Sequence, residues 1–198
     1  MAELFARWSS GEVPLKSPGV AIIDAVLVAL LLVCAYTDGT RGKIYNKVTF
    51  PAMFLGIALN GVFGGAMGLK WALLGWAVGM GIQWVPFMLG VAKAGDVKFL
   101  AAVGALKGWA FCSFGFLYGS VAFAVLILPW LAYRGELKAV GQNIGGYARL
   151  AAATHAAPNA PAPVVTKRFV PWGVGLAIGF FIALMVEIVS GRALWFRV

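Results

Sequence analysis

The sequence predicts an all-α polytopic membrane protein, a six-transmembrane-helix bundle, and three properties lead there. Of its 198 residues, 62% are hydrophobic and 12% charged. Its mean hydropathy is +0.89, beyond the range of ordinary soluble domains. Its apolar residues gather into runs near the length of a bilayer crossing, at 19–37, 48–63, 69–91, 97–106, 109–133 and 169–189. Strands are excluded, because open sheet edges are not tolerated in lipid and the runs lack the alternation of an outer-membrane barrel.

The elements follow in order. Residues 1–18 carry Glu3, Arg7, Glu12 and Lys16 around Pro14 and read as a short external tail rather than a signal peptide. The fourth run is short, so it must tilt, be shielded by its neighbours or extend into the interfaces through Gly95 and Lys107. Glycines recur four apart at Gly61/Gly65, Gly75/Gly79, Gly104/Gly108, Gly115/Gly119 and Gly175/Gly179, a spacing that lets helix backbones approach closely in lipid. The loop 134–168 spaces Leu137, Val140, Ile144, Tyr147 and Leu150 as an amphipathic helix on the cytoplasmic surface. An Ala/Pro tether containing His155 follows. The whole chain, 1–198, thus reads as a single integral membrane domain.

The charge of +9 fits the loops of a membrane protein rather than a nucleic-acid partner. With six crossings, ten lysines and arginines fall beside the loops after the first, third and fifth helices and six on the other side. Those loops are therefore expected in the cytoplasm, with both termini outside. Cys34 and Cys112 lie in apolar runs without metal-ligand spacing, so they read as small core residues and no metal site is expected.

Carboxylates are expensive in a bilayer and therefore informative. Four lie in or beside the runs: Asp24, Asp38, Asp96 and Glu187. Asp24 and Glu187, near the outer helix ends, read as interface residues reaching for headgroup water. Asp38 ends the first helix and Asp96 opens the fourth, so the topology brings both to one cytoplasmic boundary. A carboxylate pair there can perform acid/base hydrolysis, one member activating water and the other, protonated, polarising a carbonyl. Spacing alone leaves a second reading open, in which Asp96 caps its helix and Asp38 faces loop water.

The residues around the aspartates carry a resemblance. Asp38-Gly39-Thr40-Arg41-Gly42-Lys43-Ile44-Tyr45-Asn46 resembles the type IV prepilin peptidase pattern of an aspartate followed, after five residues, by Ile-Pro-Asn. Gly95-Asp96-Val97-Lys98 is similar to that family's Gly-x-Gly-Asp-x-Lys motif, and Val170-Pro171-Trp172-Gly173 to the opening of its last helix. Tyr45 stands where the family has proline, and Lys93 where it has the first glycine of the second motif.

The resemblance implies an intramembrane aspartic endopeptidase of the inner (cytoplasmic) membrane that removes the leader of a prepilin or pseudopilin at the cytoplasmic face. Asp38 and Asp96 would be catalytic, supported by Gly95, Lys98, Ile44 and Asn46, with no cofactor. The chain looks most like the Tad/Flp pilus branch, which lacks an N-terminal methyltransferase domain with CxxC motifs. Archaeal preflagellin peptidases are the nearest competitor. Two other classes remain: a small transporter or proton channel with an aspartate relay, and a catalytically inert assembly protein.

Overall fold

The computed structural model describes residues 18–88, 92–135 and 172–190. Six helices are seen there: α1 (Pro18–Arg41), α2 (Asn46–Met88), α3 (Ala94–Lys107), α4 (Trp109–Ala122), α5 (Leu128–Tyr133) and α6 (Trp172–Ser190). No strand occurs among the described residues, so the all-helical membrane class expected from composition is the one observed. Four stretches are long and apolar enough to cross a bilayer: Pro18–Arg41, Asn46–Met88, Trp109–Leu126 and Trp172–Ser190. The expected six crossings are not established by that measure. The external tail, the amphipathic helix of the 134–168 loop beyond Gly135, and His155 lie outside the described residues.

The difference in number has two physical sources. Helix α2 runs through 43 residues, which would reach about 65 Å if straight, twice the hydrocarbon thickness. It does not run straight. At Gly65 the backbone takes φ +62° and ψ −152°, a conformation open essentially to glycine, and two legs result, 46–64 and 66–88. Gly68 then comes against the Asn60 carbonyl, so the chain has turned back on itself. The second source is α3, whose 14 residues span only about 21 Å. Shielding by neighbours accommodates it, since Val97 and the side chains from Phe99 to Leu106 are buried.

Both legs of α2 pack on α3. Gly56 of the first leg lies against the backbone of Ala105 and Leu106, while Gly75 and Gly79 of the second meet Gly104 and Leu100. Asn60 fastens the contact, its Nδ2 donating to the carbonyls of Gly56, Ala105 and Leu106 at 2.9, 3.0 and 3.0 Å. On the other side, Gly115 and Gly119 of α4 meet Gly179 of α6 without room for a β-carbon. Phe180 fills the centre, stacked on Phe111 at 6.0 Å and edge-on to Phe99 at 5.8 Å. The glycine spacing read from the sequence thus marks real backbone contacts, except at Gly61/Gly65, where it flanks the reversal. After α4 the helix widens into a π-helical turn, Phe123–Ile127. Pro129 accounts for it, because its ring would clash with the carbonyl of Val125 in a regular helix.

One sequence reading is corrected. Asp24 and Glu187 do not reach for headgroup water: both close on the buried amine of Lys107, at the C-terminal end of α3. Lys107 Nζ lies 2.7 Å from Asp24 Oδ1 and 3.1 Å from Glu187 Oε1, with the Phe111 ring 5.3 Å away. Three helices, α1, α3 and α6, are tied at this end by one amine. The long lysine side chain reaches inward, which residue position alone does not reveal.

Removing one partner of a buried ion cluster leaves uncompensated charge. Lys107→Met is therefore expected to lower the unfolding free energy by about 3–5 kcal/mol, whereas Lys70→Met, at an exposed position, leaves it unchanged. Thermal melting in detergent checks this, and equal melting points for the two variants would contradict the inward pairing.

Candidate active site

At the opposite end of the same three helices a second polar cluster is built. Asp38 lies in the last turn of α1, 1% exposed, and Asp96 in the first turn of α3, 2% exposed. The sequence puts them there for ordinary helical reasons. Gly42, at φ +67°, ends α1, its N–H bonded to the Asp38 carbonyl at 3.0 Å. Asp96 starts α3 by reaching back to the Lys93 N–H at 2.9 Å, an N-terminal capping bond that also suits the positive end of the helix dipole.

Three further residues set the geometry. The Gly173 N–H at the start of α6 donates to Asp38 Oδ2 at 2.7 Å. A β-carbon at Gly173 would stand 2.8 Å from that oxygen and 2.9 Å from Ile44 Cδ1, so only glycine lets α6 approach. Lys93 addresses both acids. Its backbone N–H serves Asp96, while its amine stands 4.0 Å from Asp38 Oδ1 and donates to the Gly42 carbonyl at 3.1 Å.

The remaining residues singled out in the sequence join the cluster's outer side. Lys98 Nζ donates to Asn46 Oδ1 at 2.9 Å and sits 5.3 Å from the Phe50 ring centre. Gly95 packs on Ile44, whose β-carbon would lie 3.1 Å from one added at Gly95. The two motifs therefore interlock, Ile44 with Gly95 and Asn46 with Lys98, on either side of the acids. Sequence reading had not given Gly173 a hydrogen-bonding role. Its only signal was the third, shorter match around Trp172. Lys93 was visible merely as a departure from a motif. Cys34 and Cys112 are free and buried, as expected, and no cluster of metal-ligating side chains occurs among the described residues.

Two buried carboxyl groups from different helices, supplied with backbone N–H donors and one amine, can share a proton and exchange it with a bound molecule. A family model described as the type IV leader peptidase family matches residues 25–128. The match takes in Asp38, Ile44, Asn46, Gly95, Asp96 and Lys98, and ends before α6. No curated protein and no solved structure matches the chain.

Overpacking a closed contact costs about 1–3 kcal/mol. Gly173→Ala should destabilise the protein by that amount, because its methyl group would press on Asp38 and Ile44. Gly39→Ala, where a β-carbon finds Val174 Cγ2 at 3.5 Å, should not. Urea or thermal unfolding of the two variants in detergent decides it, and a neutral Gly173→Ala would show that α6 does not sit against Asp38.

Proposed function

The chain belongs to the type IV leader peptidase family, a family of peptidases, and on that basis we propose that it is an intramembrane aspartic endopeptidase working through Asp38 and Asp96. One observation carries the proposal: two buried carboxyl groups, brought from the end of α1 and the start of α3, are linked through the single residue Lys93. Its substrate is a prepilin or pseudopilin, cut at the cytoplasmic membrane face just before the segment that forms the filament core.

The chemistry follows from the pair. Close carboxyl groups do not ionise together, so at working pH they hold one proton between them. The anionic member takes a proton from water as the water oxygen bonds to the scissile carbonyl carbon. The protonated member donates to the carbonyl oxygen, where negative charge develops. When the tetrahedral intermediate collapses, the C–N bond breaks and the leaving nitrogen takes a proton from the pair. Backbone donors serve both acids, Gly173 to Asp38 and Lys93 to Asp96, so hydrogen bonding does not single out the proton's owner. Lys93 holds the loop after α1 to the start of α3 through Gly42. No metal or organic cofactor takes part in this scheme.

A relay for ions or protons fits less well. Asp24 and Glu187 are engaged with Lys107 at the far end, and the 13 residues of α1 between Asp24 and Asp38 separate the two acids by about 21 Å of largely apolar helix.

Asp38→Asn and Asp96→Asn should each reduce leader removal from a co-expressed prepilin by at least about 10³-fold, with insertion and yield maintained, since each removes one role of the pair. Immunoblotting for precursor and mature pilin reads the result. Substantial processing by either variant would refute the aspartic mechanism.

The proposed orientation has its own test. In a background lacking Cys34 and Cys112, Lys43→Cys should be shielded from an impermeant label added outside intact cells, and Lys70→Cys should react. Labelling in the reverse sense would place the acids on the wrong face for a cytoplasmic leader.

A further inference from the structure

Two buried polar side chains of α2 have no hydrogen-bond partner among the described residues. Gln83, on the second leg of α2, is 0% exposed, and neither its Oε1 nor its Nε2 makes a hydrogen bond. Thr49, on the first leg, is 1% exposed, and its Oγ1 is likewise unpartnered. Such groups are expensive, about 1–3 kcal/mol each when left unmatched. Trp76 Nε1 on the second leg is also unpartnered, but Gln83 leaves both a donor and an acceptor unmatched, whereas the amide of Asn60 gives its Nδ2 to three carbonyls.

Helix register shows where the orphaned groups lie. The second leg runs antiparallel to α3, with Gly75 against Gly104 and Gly79 against Leu100 and Ala101. One further turn sets Gln83, on the same face as Gly79, level with Asp96 and Val97. The first leg runs parallel to α3, with Gly56 against Ala105 and Leu106. Two turns back, Thr49 falls level with Lys98 and Phe99. The direct Lys98 to Asn46 bond confirms that this end of the first leg stays beside the start of α3. Both unpartnered side chains thus face the first turns of the helix that carries Asp96.

We infer that Gln83, assisted by Thr49, is the peptide-backbone receptor of this site. A primary amide presents one donor and one acceptor side by side, the complement of a backbone C=O and N–H on an extended strand. An extended substrate segment entering the bundle would carry just such groups and, within the apolar interior, would have no water to satisfy them. Gln83 would hold the strand beside Asp96 by hydrogen bonds that do not depend on side-chain identity. It is a positioning residue and takes no part in proton transfer. The inference rests on the peptidase reading and adds to it the group that binds the substrate backbone.

The test uses the full-length protein in detergent with a model prepilin, a leader and the apolar segment that follows it. Gln83→Met preserves length and removes both polar atoms. We expect its KM to rise about tenfold, with kcat within about twofold and the melting temperature unchanged or higher, because an unmatched buried amide has been removed. Gln83→Leu should behave alike. In addition, replacing single backbone amides near the scissile bond by esters should include one position that weakens binding to the native chain but not to Gln83→Met. Unchanged KM in both variants would overturn the inference while leaving the peptidase reading intact. So would a raised KM accompanied by a large drop in melting temperature, the mark of a merely structural residue. Failure of the native chain to cleave this prepilin, and every other prepilin offered, would remove the peptidase reading and the inference with it.

Discussion

Burying charge at both ends of one short helix is the constraint around which this bundle is organised. Apart from Lys98, which reaches out to Asn46, helix α3 is apolar between an acid in its first turn and a base in its last, an order that agrees with the helix dipole at each end. Because α3 is enclosed, neither charge can be left to solvent, and neighbouring helices must bring partners. Helices α1 and α6 do so twice. Asp24 and Glu187 meet Lys107 at one end, and at the other Asp38 and the Gly173 N–H gather beside Lys93 and Asp96. The register that satisfies Lys107 is also the register that sets Asp38 near Asp96. Stability at one face and the proposed chemistry at the other therefore depend on the same helix alignment.

Close backbone packing makes that alignment possible. Glycines at 75, 79 and 104 bring the second leg of α2 against α3, and those at 115, 119 and 179 bring α4 against α6. In lipid there is little hydrophobic gain from helix association, so such contacts and interhelical polar bonds have to supply the cohesion. Asn60, with three carbonyl acceptors, is one of these bonds. Gln83 departs from the rule that buried polar groups are matched, and it does so at the level of the acids. Trp76 Nε1, Trp172 Nε1 and Glu187 Oε2 are also unmatched, but among the described residues Gln83 is the amide that leaves both its donor and its acceptor so.

How much of this could be read from the sequence depended on the range of the interaction. The all-helical membrane class followed from composition, and the placement of Asp38 and Asp96 at helix ends beside Lys93 agrees with their positions in the sequence. The paired contacts of Ile44 with Gly95 and Asn46 with Lys98 join residues already picked out by their motifs. The break between the runs 48–63 and 69–91 was legible, but which residue makes the turn was not, because one glycine among Gly61, Gly64, Gly65 and Gly68 carries no mark that it alone takes a positive φ. The Lys107 cluster was hidden too. Position placed Asp24, Lys107 and Glu187 near the same face, but a lysine near a helix end ordinarily snorkels outward, and only its surroundings reveal that this one turns in. Gln83 and Gly173 were opaque for a related reason: what each does is set by a helix distant in sequence.

The central claim is that Asp38 and Asp96 act as one proton-sharing unit. Its most direct test is the pH dependence of kcat/KM for leader removal by the native protein. Two coupled carboxyl groups that must hold one proton between them give a bell, with activity lost on the acid side when both are protonated and on the alkaline side when neither is. The account predicts both limbs within the range where the fold is stable. A profile with a single limb, rising to a plateau as one group titrates, would contradict it.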